Sequence, residues 1–302
     1  MQCYGRRSQR TVVALLASLT MPLAIAACGN DDDSPTGGGS SSRLAFSSDR
    51  DGNLEIYSAN ADGSDVRRLT TAQGDDSDPS WAVTGRIAFS STRDGNSEIY
   101  SMNADGSDAR RLTTNATSDE LPVWSPDGTR IAFATNRDGN WEIYVMSADG
   151  SGQTRLTTST AIESGPRWSP DGSRIAFHSD RDGNLEIYMM NANGSAPTRL
   201  TNNAGADLFS SWAPGGQRFA FHTNRDGNFE VYAMNVDGTG VLRLTQNTFL
   251  DNYPMWSSDG ARISFHSNRD GNFEIYTMAA NGTDVVRVTN NAAFDVLAAW
   301  RP

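Results

Sequence analysis

The sequence contains no lysine; all 25 basic residues are arginine, against 36 Asp and Glu, and the formal net charge is −11. A chain with this balance has no basic stripe on which to lay a phosphate backbone, which argues against nucleic acid as a partner. Cysteine is nearly absent. Cys3 and Cys28 are the only two, both ahead of everything that repeats. A disulfide framework or a thiolate metal site is therefore excluded from the rest of the chain. No Gly-x-Ser-x-Gly elbow occurs, so the nucleophile mount of the α/β hydrolases is missing. Helical periodicity is missing as well.

What the chain has is repetition. Arg50-Asp51-Gly52-Asn53-Leu54-Glu55-Ile56-Tyr57 returns with little change from Arg93, Arg137, Arg181, Arg225 and Arg269, at an interval of 43 residues once and 44 residues four times. A fixed period in this range signals a propeller or a solenoid. Within one unit, Pro122-Val123-Trp124 reads as a short extended run, and Ser125-Pro126-Asp127-Gly128 as a turn. Strands follow at Arg130-Ile131-Ala132-Phe133-Ala134, at Trp141 to Met146, and at Thr154-Arg155-Leu156-Thr157. Asp138-Gly139 is a hairpin signal between the first two of these three. Four short antiparallel strands per unit predict an all-β fold: a six-bladed β-propeller over residues 43–302. The repeats open on a second strand at Arg43 and stop on a first strand at Trp300. Six complete blades therefore require the C-terminal strand to join the first blade, which also removes the open sheet edges.

With Asp51-Gly52 as a two-residue turn, Arg50 and Glu55 fall diagonally on one face of the hairpin, as a partly buried ion pair copied six times. Phe46 and Tyr57 continue that face, and Ala45, Ser47 and Ile56 form the other. His178, His222 and His266 share one repeat position, opposite Ile187, Val231 and Ile275. Their backbones should stand about 10 Å or more apart on adjacent blades. That predicts packing between blades rather than one shared metal, whose donors must all lie within about 2 Å of the ion. The Asp-Arg-Asp-Gly-Asn-x-Glu run at Asp49 has its Gly and Glu too early for a calcium loop.

Five residues before each Trp lies an acid: Asp76, Asp119, Glu163, Asp207, Asp251 and Asp295. The loops carrying them lead to the innermost strands, so the carboxylates should ring one mouth of the channel. Such a ring would hold a divalent cation or funnel a cationic ligand; each acid could equally cap its own turn. No other cofactor is expected. The same loops differ between units. Those before Trp81 and Trp124 add Asp75, Asp78 and Glu120; the later ones add Leu208, Phe209, Phe249, Leu250, Tyr253, Phe294, Val296 and Leu297. Phe209, Phe249, Leu250, Tyr253, Phe294 and Leu297 are the candidate partner-binding residues, on a rim apolar on one side and acidic on the other, unless they fold inward over the channel.

Residues 1–27 read as an export signal, with Arg6, Arg7 and Arg10 ahead of an apolar stretch interrupted by Pro22. Ile25-Ala26-Ala27-Cys28 resembles the lipobox of bacterial lipoproteins, which implies cleavage before Cys28 and its acylation. Residues 28–42 would then be a lipidated Cys and a flexible tether reaching about 20 Å. Trp-Ser-Pro-Asp-Gly at Trp124 and Trp168, with Ile-Ala-Phe, Arg-Asp-Gly-Asn, Glu-Ile-Tyr and Arg-Leu-Thr, resembles the WD40-like PD40 repeat. That repeat builds the propeller of the translocation protein TolB and related bacterial proteins. The resemblance implies a monomeric, non-catalytic platform for an envelope protein or peptide, anchored by lipid at the periplasmic face of the outer membrane or at the cell surface. The other reading is a carbohydrate- or small-ligand-binding or lytic propeller enzyme that uses the central channel.

Overall fold

The computed structural model describes residues 43–302; the expected export signal, Cys28 and the expected tether lie outside the described residues. Among the described residues, twenty-four strands form six separate four-stranded antiparallel sheets, and there is no helix. Five blades are continuous in sequence. The sixth is composite: Asp295–Trp300 supplies its inner strand, and Arg43–Ser48, Glu55–Asn60 and Arg67–Arg68 the other three. We number this composite sheet blade 1 and count onward along the chain to blade 6. Leu44 pairs with Trp300 and Ser48 with Asp295 across the joint, and the Arg301 amide donates to the Arg43 carbonyl at 2.9 Å.

The inner strands are Asp295–Trp300, Asp76–Trp81, Asp119–Trp124, Glu163–Trp168, Asp207–Trp212 and Asp251–Trp256. Each touches the inner strand of the next blade, and the sixth touches the first, so they close a ring around a central channel. One end of the channel carries the acids and the hairpin loops, and the other carries the tryptophans.

Alternation along the strands gives each blade two unlike faces. Phe46, Tyr57, Leu44 and Trp300 make one face of blade 1, and Ala45, Ile56 and Ala299 make the other. The large face of each blade packs on the small face of the blade before it. Six such clusters follow around the ring, for example Ala220, Val231 and Ala233 under Trp256, Ile263, Phe265 and Tyr276. Large side chains set into small neighbours fill the wedge between sheets without voids, and each fully buried aromatic or aliphatic group contributes roughly 1.5–3 kcal/mol.

Two sequence expectations about the hairpin need correction. Strand pairing stops at Ser48 opposite Glu55, so the loop holds six residues, Asp49 to Leu54, instead of two. The tight turn spans Asp49 to Gly52, closed by the Gly52 amide on the Asp49 carbonyl at 2.9 Å. Arg50 consequently leaves the sheet edge and does not meet Glu55. Glu55 is wholly buried and is held from the far side of the blade. It accepts from Arg68 Nη2 at 2.8 Å, Thr70 Oγ1 at 2.5 Å and Asn53 Nδ2 at 3.2 Å. The Arg-Leu-Thr motif is thus the partner of the Glu-Ile-Tyr motif. The outer strand itself is only two residues long in each blade, shorter than expected.

Candidate functional site

Each inner strand begins at its acid, three residues earlier than Pro122-Val123-Trp124 suggested in the third unit. The six acids are fully buried and do not converge. Each is taken up by the hairpin arginine of its own blade: Arg50 on Asp295 at 3.0 Å, Arg93 on Asp76 at 2.8 Å, Arg137 on Asp119 at 3.0 Å, Arg225 on Asp207 at 2.9 Å and Arg269 on Asp251 at 2.9 Å, with Arg181 on Glu163 completing the set. The guanidinium is fixed on its other side by stacking; in blade 1 it lies 4.4 Å from the Tyr57 ring centre. Burial raises the carboxyls of Asp76, Asp119, Asp207 and Asp295, while hydroxyl and arginine neighbours pull them back. This corrects the expected ring of cation ligands. Six separate ion pairs pin inner strand to hairpin, and among the described residues no three His, Cys, Asp or Glu are placed to hold a metal ion.

The departure from regular alternation comes two residues after each acid. Register shifts in all six inner strands, for instance between Asn252 and Met255, where Tyr253 and Pro254 together oppose one residue of the partner strand. The first bulge residue is left-handed in every blade: Asp78, Leu121, Gly165, Phe209, Tyr253 and Leu297 have φ between 48° and 64°. Bulky side chains rarely occupy this region, and such strain clusters at functional positions. Gly165 has no alternative, because a Cβ there would come within 2.6 Å of the His178 ring.

The bulges bring together residues far apart in sequence. Phe209 is 7% exposed and stacks on Tyr253 at 4.0 Å between ring centres. His178 lies 4.7 Å from Phe209, His222 5.4 Å from Tyr253 and His266 5.0 Å from Tyr253. The histidines do meet neighbouring blades, as expected of packing groups. His222 Nδ1 accepts the Tyr253 amide at 3.1 Å, and His266 Nδ1 accepts the Leu297 amide at 3.3 Å. Aromatic rings stand between them, so they share no common point. Burial lowers His178 and His266 to about 3 and takes His222 well below its usual value, so all three are neutral near pH 7.

Of the six candidate partner-binding residues, Phe209, Tyr253 and Leu297 therefore turn inward at the bulges. Phe249, Leu250 and Phe294 stay at the hairpin end; Phe249 is 41% exposed. Phe294 faces Phe273 at 6.4 Å, and Phe273 meets His266 edge-on at 5.2 Å. Phe229 meets His222 in the same way at 5.1 Å. Phe229 and Phe273 were not singled out in the sequence, although their position after the hairpin Asn varies as Leu54, Ser97, Trp141, Leu185, Phe229 and Phe273. The apolar surface at the hairpin end thus runs without a break into the aromatic plug. Asp75, exposed, and Glu120, half-buried, belong to the other side of the same end.

Below the plug, in the tryptophan half of the channel, lies a cavity of about 140 Å³ whose lining includes Asp78, Leu121, Arg167, Tyr253, Met255 and Leu297.

The sequence matches the family model described as the TolB β-propeller domain, PD40, over residues 24–121, 115–208 and 202–302. Comparison with the curated proteins gives no match. Among solved structures, TolB from Acinetobacter baumannii superimposes with a TM-score of 0.79 at 22% identity, over 88% of this chain and 68% of that one. Putative TolB from Agrobacterium tumefaciens gives 0.69 at 21% identity, over 87% and 99%. Oligogalacturonate lyase from Vibrio parahaemolyticus gives 0.58 at 16% identity, over 83% and 75%. At these identities the likeness is one of fold.

Proposed function

We propose that this chain, which belongs to the TolB β-propeller (PD40) family, is a non-catalytic binding platform of the bacterial envelope. Its docking surface is the hairpin end of blades 5, 6 and 1, where Phe249, Leu250, Phe273 and Phe294 gather. The observation that carries this reading is the continuity of Phe294 and Phe273, through His266, with the buried aromatic plug. A rim seated on a packed core is held in place before a partner arrives, which lowers the ordering cost of binding. Apolar anchors on one side of this end and Asp75 and Glu120 on the other, on a chain of formal charge −11, suit a protein segment that carries apolar side chains and basic ones. Cys28 supplies the anchor in this reading: acylated, it holds the propeller to the periplasmic face of the outer membrane or to the cell surface.

Two experiments test the two halves of the proposal. Phe249→Ser with Phe294→Ser should abolish capture of an envelope partner by the purified propeller and leave its melting curve in place; undiminished capture removes the rim from consideration. Cys28→Ser should move the protein from the membrane to the soluble fraction, and continued membrane association refutes the lipid anchor.

A further inference from the structure

The cavity below the plug carries two charges that the scaffold does not use. Asp78 and Arg167 are the only charged residues in its lining. Each breaks the repeat. The five other bulge residues are Leu121, Gly165, Phe209, Tyr253 and Leu297, and the positions equivalent to Arg167 are Ser80, Val123, Ser211, Met255 and Ala299. Five blades fold without an acid at the first position, and five without a base at the second, so neither charge is needed to hold a blade.

Neither has an ion-pair partner among the described residues. Arg167 forms no ion pair among the described residues; its one hydrogen bond runs from Nη1 to the carbonyl of the adjacent Pro166 at 3.0 Å, and its Nε is buried with no partner. The Asp78 carboxylate accepts from Ser77 Oγ at 2.9 Å and is also hydrogen-bonded by the Ser90 hydroxyl, but among the described residues it forms no ion pair. Both residues are half-buried and line the cavity. Burial pushes the Asp78 carboxyl up, opposed first by the Ser77 and Ser90 hydroxyls and then by Arg167, and it pushes the Arg167 guanidinium down, opposed by Asp78. Unpaired charge that has lost part of its hydration is costly unless something completes it. The same cavity is lined by the apolar side chains of Leu121, Met255 and Leu297 and by Tyr253. A cavity of this size, about 140 Å³, compares with one of about 150 Å³ that takes up benzene.

We propose that this cavity binds a small aliphatic zwitterion, its ammonium on Asp78, its carboxylate on Arg167 and its hydrocarbon part against Leu121, Met255 and Leu297. A guanidinium with free donors suits a carboxylate, and a lone carboxylate suits an ammonium. An uncharged sugar would leave both charges unpaired. The site is in the half of the channel remote from the rim, and its occupancy does not depend on a protein partner.

The test is calorimetric titration of the intact chain with γ-aminobutyrate and L-leucine, which differ in the spacing of their charges, against butylamine and butyrate, which carry one charge each. At least one zwitterion should bind saturably and about tenfold or more tighter than either singly charged probe. Asp78→Asn and Arg167→Gln should each weaken it by about tenfold or more, whereas Phe249→Ser should leave it unchanged. Absence of saturable binding of both zwitterions near about 1 mM overturns the proposal, as does equal binding of all four probes. Those two outcomes are read on the unmutated protein and stand even if a variant fails to fold. Undiminished zwitterion binding by both variants likewise shows that Asp78 and Arg167 close on each other or on water.

Discussion

Blades 1–3 and blades 4–6 are built alike and filled differently. In both halves an arginine joins hairpin to inner strand, and a second arginine holds the buried Glu. The contrast lies at the position where each second strand meets the neighbouring bulge. Blades 1–3 have Ser47, Ser90 and Ala134 there; blades 4–6 have His178, His222 and His266. Ser90 accepts the Leu121 amide, and the histidines meet Phe209, Tyr253 and Leu297. One half of the channel is thus filled with rings, while the other leaves room for an unpaired acid. The lesson is that the copied residues hold the ring together and the uncopied ones shape what it can bind.

Removing residues 295–302 should have the largest effect, because it breaks the joint between the halves. Arg50 would lose Asp295, and Ile275 and Phe46 would lose Trp300 from their cluster. The single cooperative melt should disappear; an unchanged melt would mean that blade 1 closes without its inner strand.

The arginine pairs come next, and here the halves should behave alike. Arg93→Ala in blade 2 and Arg225→Ala in blade 5 each leave a fully buried carboxylate without its cation. Each should cost about 3–5 kcal/mol in denaturant unfolding. A clear inequality between them would show that the scaffold is not the same in both halves.

A smaller effect should separate the halves by pH. Histidines held at about 3 when folded stabilise the protein above about pH 6.5, and that stability is lost as pH falls toward 3. The expected slope is up to roughly 1.4 kcal/mol per pH unit for each histidine. Replacing all three with Ser, the residue blades 1 and 2 already use, should flatten the melting temperature between about pH 6.5 and 4.5. Asp127 and Asp171, held at about 2 by hydrogen bonds first from Ser125 and Ser169, lose their contribution only below about pH 4, so the two windows are distinct. A wild-type melting temperature that is already flat across the upper window would contradict the neutral, buried histidines.

The ring, its six blades and its closure were legible because the hairpin motif repeats at a nearly constant interval, with a second-strand pattern at Arg43 and a first-strand pattern at Trp300 that complete each other. The two faces of each sheet were legible from simple alternation. The bulges were not. Leu121, Phe209 and Tyr253 are poor residues for a left-handed backbone, so nothing in their identity announces one. A reader of the sequence keeps the alternation going and places Phe209 and Tyr253 on the rim. The partner of Arg50 was hidden for a different reason. A local rule for hairpins offers Glu55, five residues away, whereas the folded chain offers Asp295 from the other end of the sequence. Once the acids are known to be occupied by arginines, the lone Asp78 and the lone Arg167 stand out as the charges without a scaffold role.

The central claim is that the hairpin end of blades 5, 6 and 1 receives a protein. It is tested most directly by placing a photo-crosslinking residue at position 249 and, separately, at position 83, then irradiating the native cell envelope. Val83 is exposed in a turn at the tryptophan end and serves as the matched control. A discrete adduct with an envelope protein at 249 and none at 83 is the predicted result. Adducts of equal yield at both positions, or at 83 alone, would contradict it.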